Sequence, residues 1–137
     1  MENIVIDTNI LLVSFSSKSK VRWLFDALLD QKFILCVTTD ILDEYAEVIE
    51  RHMGAEAAEN LMGIIENLPN VKLVTNHFKF NLLNDPDDNK FVDCSISSNA
   101  KYLVTHDKDF KILSKIEFPK VQLIEIQGFK NFIESIF

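Results

Sequence analysis

Four carboxylates carry the chemistry most readily read from this sequence. Asp7 directly follows the apolar run Asn3-Ile4-Val5-Ile6, and Asp107 follows the run from Lys101 to Thr105 with only His106 between. If both runs are strands of one parallel sheet, both acids leave the same edge, where such sheets place their ligands. Glu44 lies in a stretch with Ile41, Leu42, Tyr45, Val48 and Ile49 on one helical face. At about 100° per residue it falls roughly 40° from Val48, on the border of that face, whereas Asp43, Glu47 and Glu50 lie opposite. Asp88 precedes Phe91, Val92 and Ser95 by three, four and seven residues and so shares their inward side. Asp93 points about 140° away on the same wheel and is held in reserve for that position.

Four like charges in one pocket would force some of the carboxyls to stay protonated. A hard divalent cation removes the conflict, and an all-oxygen ligand set suits Mg²⁺ or Mn²⁺. The chemistry that follows is metal-assisted hydrolysis of a phosphate ester, by activating water and stabilising the leaving oxygen.

The elements that must position these acids alternate along the chain. Strands are expected at Asn3–Ile6, Phe33–Val37, Val71–Val74, Lys101–Thr105 and Val121–Ile126. Between them come helices up to Phe15, near Lys20–Asp30, from a cap at Thr39 or Asp40 to about His52, and over Ala55–Leu68. A turn at Asp85-Pro86-Asp87-Asp88 opens a helix to about Asn99, a short helix is expected at Phe110–Ser114, and an amphipathic helix at Phe129–Phe137 closes the chain. Short apolar strands separated by helices make right-handed βαβ units. The expected fold is therefore α/β, a three-layer α/β/α sandwich around a central, mostly parallel five-stranded twisted sheet.

The 137 residues, 47% of them apolar with eleven Phe, suit one domain with a real core. No apolar run approaches the roughly 20 residues of a membrane span, and no basic stretch precedes the first apolar run. The expected location is the cytoplasm. Cys36 and Cys94 have no metal spacing and read as buried free thiols. The net charge of −7 argues against broad, sequence-independent binding to nucleic acid, but not against a nuclease whose acids surround a metal. Lys18, Lys20 and Arg22 flank the loop after the first helix, and Lys108 lies beside Asp107; these cations could guide a nucleic-acid backbone. His106 reads as a loop histidine, and Trp23 and Phe25 as core. The P-loop, dinucleotide and serine-hydrolase motifs are all missing.

Four stretches together resemble the PIN domains, a family that includes the toxin subunits of many prokaryotic toxin–antitoxin pairs. They are Ile4-Val5-Ile6-Asp7-Thr8-Asn9-Ile10-Leu11, Leu42-Asp43-Glu44-Tyr45-Ala46-Glu47-Val48, Asp85-Pro86-Asp87-Asp88-Asn89-Lys90-Phe91, and Tyr102-Leu103-Val104-Thr105-His106-Asp107-Lys108-Asp109-Phe110. They occur in the family's order and span most of the chain. The resemblance implies a parallel sheet sandwiched by helices and a Mg²⁺- or Mn²⁺-dependent endoribonuclease leaving 5′-phosphate and 3′-hydroxyl ends. It matches Asp7, Glu44, Asp88 and Asp107 to the family's metal-binding acids, Asn9 and Thr105 to polar residues that orient ligands or water, and Asp109 to an accessory acid. It further implies an RNA substrate, a cognate antitoxin partner and a homodimer. On the late helix this chain has Cys94-Ser95-Ile96-Ser97-Ser98 where many toxins carry a small-residue run, which leaves the choice between Asp88 and Asp93 open.

Two other readings account for parts of the pattern. A Mg²⁺-dependent phosphoacceptor signalling domain would also place acids at strand ends, but it needs an acceptor Asp on a central strand. The second and third strands end in Val37-Thr38-Thr39 and Val74-Thr75-Asn76. A PIN-like scaffold that only binds partners would be expected to have lost one or more of the acids.

Overall fold

In a computed structural model, which describes residues 1–136, five strands form one sheet in the order β3-β2-β1-β4-β5, with every neighbouring pair parallel. They are β1 (Asn3–Ile6), β2 (Ile34–Val37), β3 (Val71–Leu73), β4 (Tyr102–Val104) and β5 (Leu123–Ile124). The helices are α1 (Thr8–Phe15), α2 (Arg22–Leu29), α3 (Thr39–Met53), α4 (Ala55–Asn67), α5 (Pro86–Ser97) and α6 (Ile126–Ile136), with a 3-10 segment at Lys108–Lys115. Phe137, the last residue of the expected final helix, lies outside the described residues.

Ile4, Val5 and Ile6 are all fully buried although successive side chains on a strand point to opposite faces, so helices cover both sides of the sheet. The same holds for Leu35, Cys36 and Val37. The expected three-layer α/β architecture is the observed one, and both cysteines are free and buried.

Several boundaries differ, each for a local reason. The cap of α3 is Thr38, not Thr39 or Asp40: its side chain accepts the Ile41 N–H at 3.2 Å. The helix after the first loop begins at Arg22 rather than Lys20. The fifth strand shrinks to two residues because the chain already turns into α6, whose start precedes the expected Phe129. There the Ile126 N–H donates to His106 Nε2 at 2.9 Å and the Phe129 N–H to the Glu125 carbonyl at 2.9 Å. A donor at the start of a helix has no partner within it, and His106 supplies one from 20 residues away. Gly54, at φ 94°, lets α3 stop and α4 begin without a loop.

The expected apolar stripe of α3 is present, with Ile41, Tyr45 and Ile49 buried and Asp43, Glu47 and Glu50 exposed. Helix α5 is less one-sided than expected, because the chain between β3 and α5 folds over it. Asn89 is buried and exchanges two hydrogen bonds with the Leu83 backbone, at 2.9 and 2.8 Å.

Candidate metal centre

The pairing of β1 with β4 aligns Ile6 with Val104, so the next residues, Asp7 and Thr105, emerge side by side at the carboxyl edge. The Asp7 N–H continues the ladder to the Val104 carbonyl at 3.0 Å before α1 begins. Its side chain takes no capping bond from α1 and instead accepts from the Thr105 hydroxyl, Oγ1 to Oδ2, at 2.8 Å.

Tyr45 fixes the approach of α3. Its ring is fully buried and its hydroxyl donates to the Ile6 carbonyl at 2.5 Å, joining the helix to the end of β1. One residue earlier, Glu44 is thereby set against α1 and α5. Its Oε2 accepts the Thr8 hydroxyl, and its Oε1 pairs with Lys90 Nζ at 2.7 Å. The desolvation that a border carboxylate would suffer is thus offset by an ammonium group of the same chain.

Asp88 stands in the first turn of α5, and Asp107 caps the 3-10 segment by accepting the Asp109 N–H at 2.9 Å. Asp88, Asp107 and Asp109 bring one carboxylate oxygen each within 4.8 Å of the others, close enough to share a cation. Asp7 and Glu44 fall outside this closest group. Asp7 is nevertheless near enough to Asp107 and Glu44 to feel both charges. Asp109, which the resemblance makes an accessory acid, stands inside the group.

The electrostatics follow the geometry. Burial raises the Asp7 carboxyl above its usual range; the Thr105 hydroxyl and the Thr8 N–H pull it back, and the charges of Asp107 and Glu44 push it further. Burial, then the charges of Asp85, Asp107, Asp7 and Asp109, raise Asp88 to about 6. Among the described residues, no basic side chain offsets that crowding at Asp88. An all-carboxylate donor set with unbalanced negative charge fits a hard divalent ion.

The remaining expected residues lie apart from this group. Asp93 is buried and accepts the Phe80 N–H at 3.2 Å, so it anchors the covering chain. Burial raises its carboxyl, while the Phe80 N–H and the Lys79 charge lower it. Asn9 is exposed on α1, and Lys18, Lys20 and Lys108 are exposed. Arg22 is committed elsewhere: it donates to the Phe15 carbonyl at the end of α1, pairs with Asp26 at 3.1 Å and lies over the Phe25 ring. Sequence reasoning placed Tyr45 on the apolar face of α3 without a role at the site, and it did not single out Thr8 or Lys90. A border Glu calls for a partner cation, but identifying Lys90 requires knowing that α5 packs beside α3.

The acids border open clefts. One of ≈ 520 Å³ is lined by Asp40, Asp43, Glu44, Glu47, Pro86 and Lys90 among others. Another of ≈ 370 Å³ has Asp85, Asp88 and Asp109 on its wall.

The model of the family described as "PIN domain" matches residues 3–109. An uncharacterized protein of Methanocaldococcus jannaschii is 26% identical over 142 residues, covering 96% of this chain and 90% of its own length. Among solved structures, VapBC2 from Rickettsia felis, bound to a DNA fragment from its promoter, superposes with a TM-score of 0.62 at 17% identity. The match covers 90% of this chain and 98% of that one. Mycobacterium tuberculosis VapC20, a sarcin–ricin loop cleaving toxin, gives 0.59 at 14% identity over 80% and 93% of the two chains. At these identities the superpositions establish the shared fold.

Proposed function

The chain belongs to the PIN-domain family, and from that premise we propose that it is a metal-dependent endoribonuclease acting as the toxin of a toxin–antitoxin pair. The observation that carries this reading is the convergence of Asp88, Asp107 and Asp109 beside Asp7 at the carboxyl edge of the sheet, with no basic side chain among the described residues offsetting the charge at Asp88. Asp7, Asp88 and Asp107, with Asp109 in reach, would hold Mg²⁺ or Mn²⁺, and Glu44 completes the acidic ring. When bound, the ion supplies an activated water and charge neutralisation at the phosphate. Thr105 fixes the Asp7 carboxylate, Thr8 fixes Glu44, and Asn9 is available to substrate at the start of α1. The exposed Lys18, Lys20 and Lys108 would steer the phosphate backbone. Arg22 contributes through the α1–α2 corner it braces.

The likeness to VapBC2 from Rickettsia felis supports a cognate antitoxin as partner, and a cytoplasmic location and a homodimer belong to the same proposal. Among the described residues no helix is long and apolar enough to cross a membrane.

Analysis of product ends tests the chemistry. Water attack leaves 5′-phosphate and 3′-hydroxyl termini on RNA, whereas attack by the RNA's own 2′-hydroxyl would leave a cyclic phosphate. Cyclic ends on the products would overturn the metal-assisted reading.

A further inference from the structure

The acidic ring divides into two unlike halves. On one side Asp88, Asp107 and Asp109 approach one another with oxygens within 4.8 Å. On the other, Glu44 has both oxygens engaged by this chain: Oε1 by Lys90 Nζ at 2.7 Å and Oε2 by the Thr8 hydroxyl. The Glu44 and Lys90 side chains are only 24% and 17% exposed, so this is a largely desolvated pair and not a solvated surface contact. Such a pair is costly to break by removing one partner, because the other is left buried and unbalanced. Lys90 reaches Glu44 from α5, the helix that also carries Asp88 two residues earlier.

We propose that Lys90 is a positioning residue that serves as the centre's internal counter-ion, holding Glu44 in the place where a second divalent cation would otherwise be needed. The centre therefore takes one metal ion, on the Asp88–Asp107–Asp109 side. Glu44 acts by orienting α1 and α5 through Thr8 and Lys90. This inference rests on the metal-site reading above and deepens it by setting the number of ions.

Titration calorimetry with Mn²⁺ on the full chain tests it without reference to cleavage. Wild type is expected to bind one equivalent. Glu44→Gln retains that equivalent, weakened by at most about tenfold, the low end for a group outside the ligand set. Lys90→Met frees the Glu44 carboxylate and brings in a second Mn²⁺ equivalent, while Lys90→Arg keeps one. A circular-dichroism melt checks that each variant is folded. If Lys90→Met does not fold, the wild-type stoichiometry and Glu44→Gln carry the test.

Two equivalents in wild type, loss of the single equivalent in Glu44→Gln, or an unchanged stoichiometry in folded Lys90→Met would each overturn the counter-ion role and leave the metal site itself standing. No Mn²⁺ binding by wild type would instead remove the metal-site reading, and this inference with it.

Discussion

Thr105 and Asp7, 98 residues apart in sequence, are joined by a single hydroxyl. Thr105 Oγ1 donates to Asp7 Oδ2 at 2.8 Å and accepts the Asp107 N–H at 3.0 Å. One side chain at the end of β4 thus fixes both strand-end acids. Thr105 is itself buried, so the link is shielded from competing water.

Replacing Thr105 with Val keeps the shape and removes the link. A hydrogen bond to a charged group contributes about 1.5–3 kcal/mol, so a loss of that order is expected in a denaturant melt of the metal-free protein. Cleavage activity should fall as well, because Asp7 loses its fixed orientation. Wild-type stability in Thr105→Val would show that the hydroxyl contributes nothing to the carboxylate.

The choice between the two acids of α5 can be separated by binding. Asp88 faces Asp107 and Asp109, while Asp93 holds the Phe80 N–H on the covering segment. Asp88→Asn should abolish Mn²⁺ binding in calorimetry. Asp93→Asn should keep it while lowering the melting temperature. The reverse pattern would move the site to the other face of the helix.

The pH dependence has a definite sign. Asp88 is raised to about 6 from a usual value of 3.8, so the metal-free fold binds this proton more tightly than the unfolded chain does. With respect to this group, stability of the metal-free protein falls as pH rises from about 4 to about 6 and is level above that window. Mn²⁺ affinity should rise over the same interval as the competing proton leaves. Melting temperatures against pH, with and without Mn²⁺, check both trends; a Mn²⁺ affinity that does not change below pH 6 would contradict them.

The cap of α3 offers a control away from the acids. Thr38→Ala removes the bond to the Ile41 N–H and should cost about 0.5–2 kcal/mol of stability. Mn²⁺ stoichiometry should stay that of wild type.

How much of this was legible in the sequence depends on the range of the interaction. β1 was readable because Ile4-Val5-Ile6 is a continuous apolar run ended by Asp7, and the sheet that buries both faces of that run makes Asp7 a strand-end acid. The Glu44 border position was also visible, since it follows from helical periodicity alone. The cap of α3 was misplaced because Thr38, Thr39 and Asp40 can all cap, and the backbone geometry decides among them. The start of α6 depends on His106 reaching Ile126, and the balance at Glu44 depends on α5 packing beside α3. Neither contact leaves a periodic or compositional trace. Arg22 differs in part: Asp26 four residues on is a partner that helical spacing offers, whereas the bond to the Phe15 carbonyl depends on how α2 turns back onto α1.

Cleavage of an end-labelled single-stranded RNA, in Mn²⁺, Mg²⁺ or EDTA, with wild type beside Asp7→Asn, tests the central claim most directly. The account predicts cutting by wild type with either metal, none in EDTA, and none by folded Asp7→Asn. Wild type that stays inert with both metals while folded and free of inhibitor, or Asp7→Asn that cuts at the wild-type rate, would contradict it.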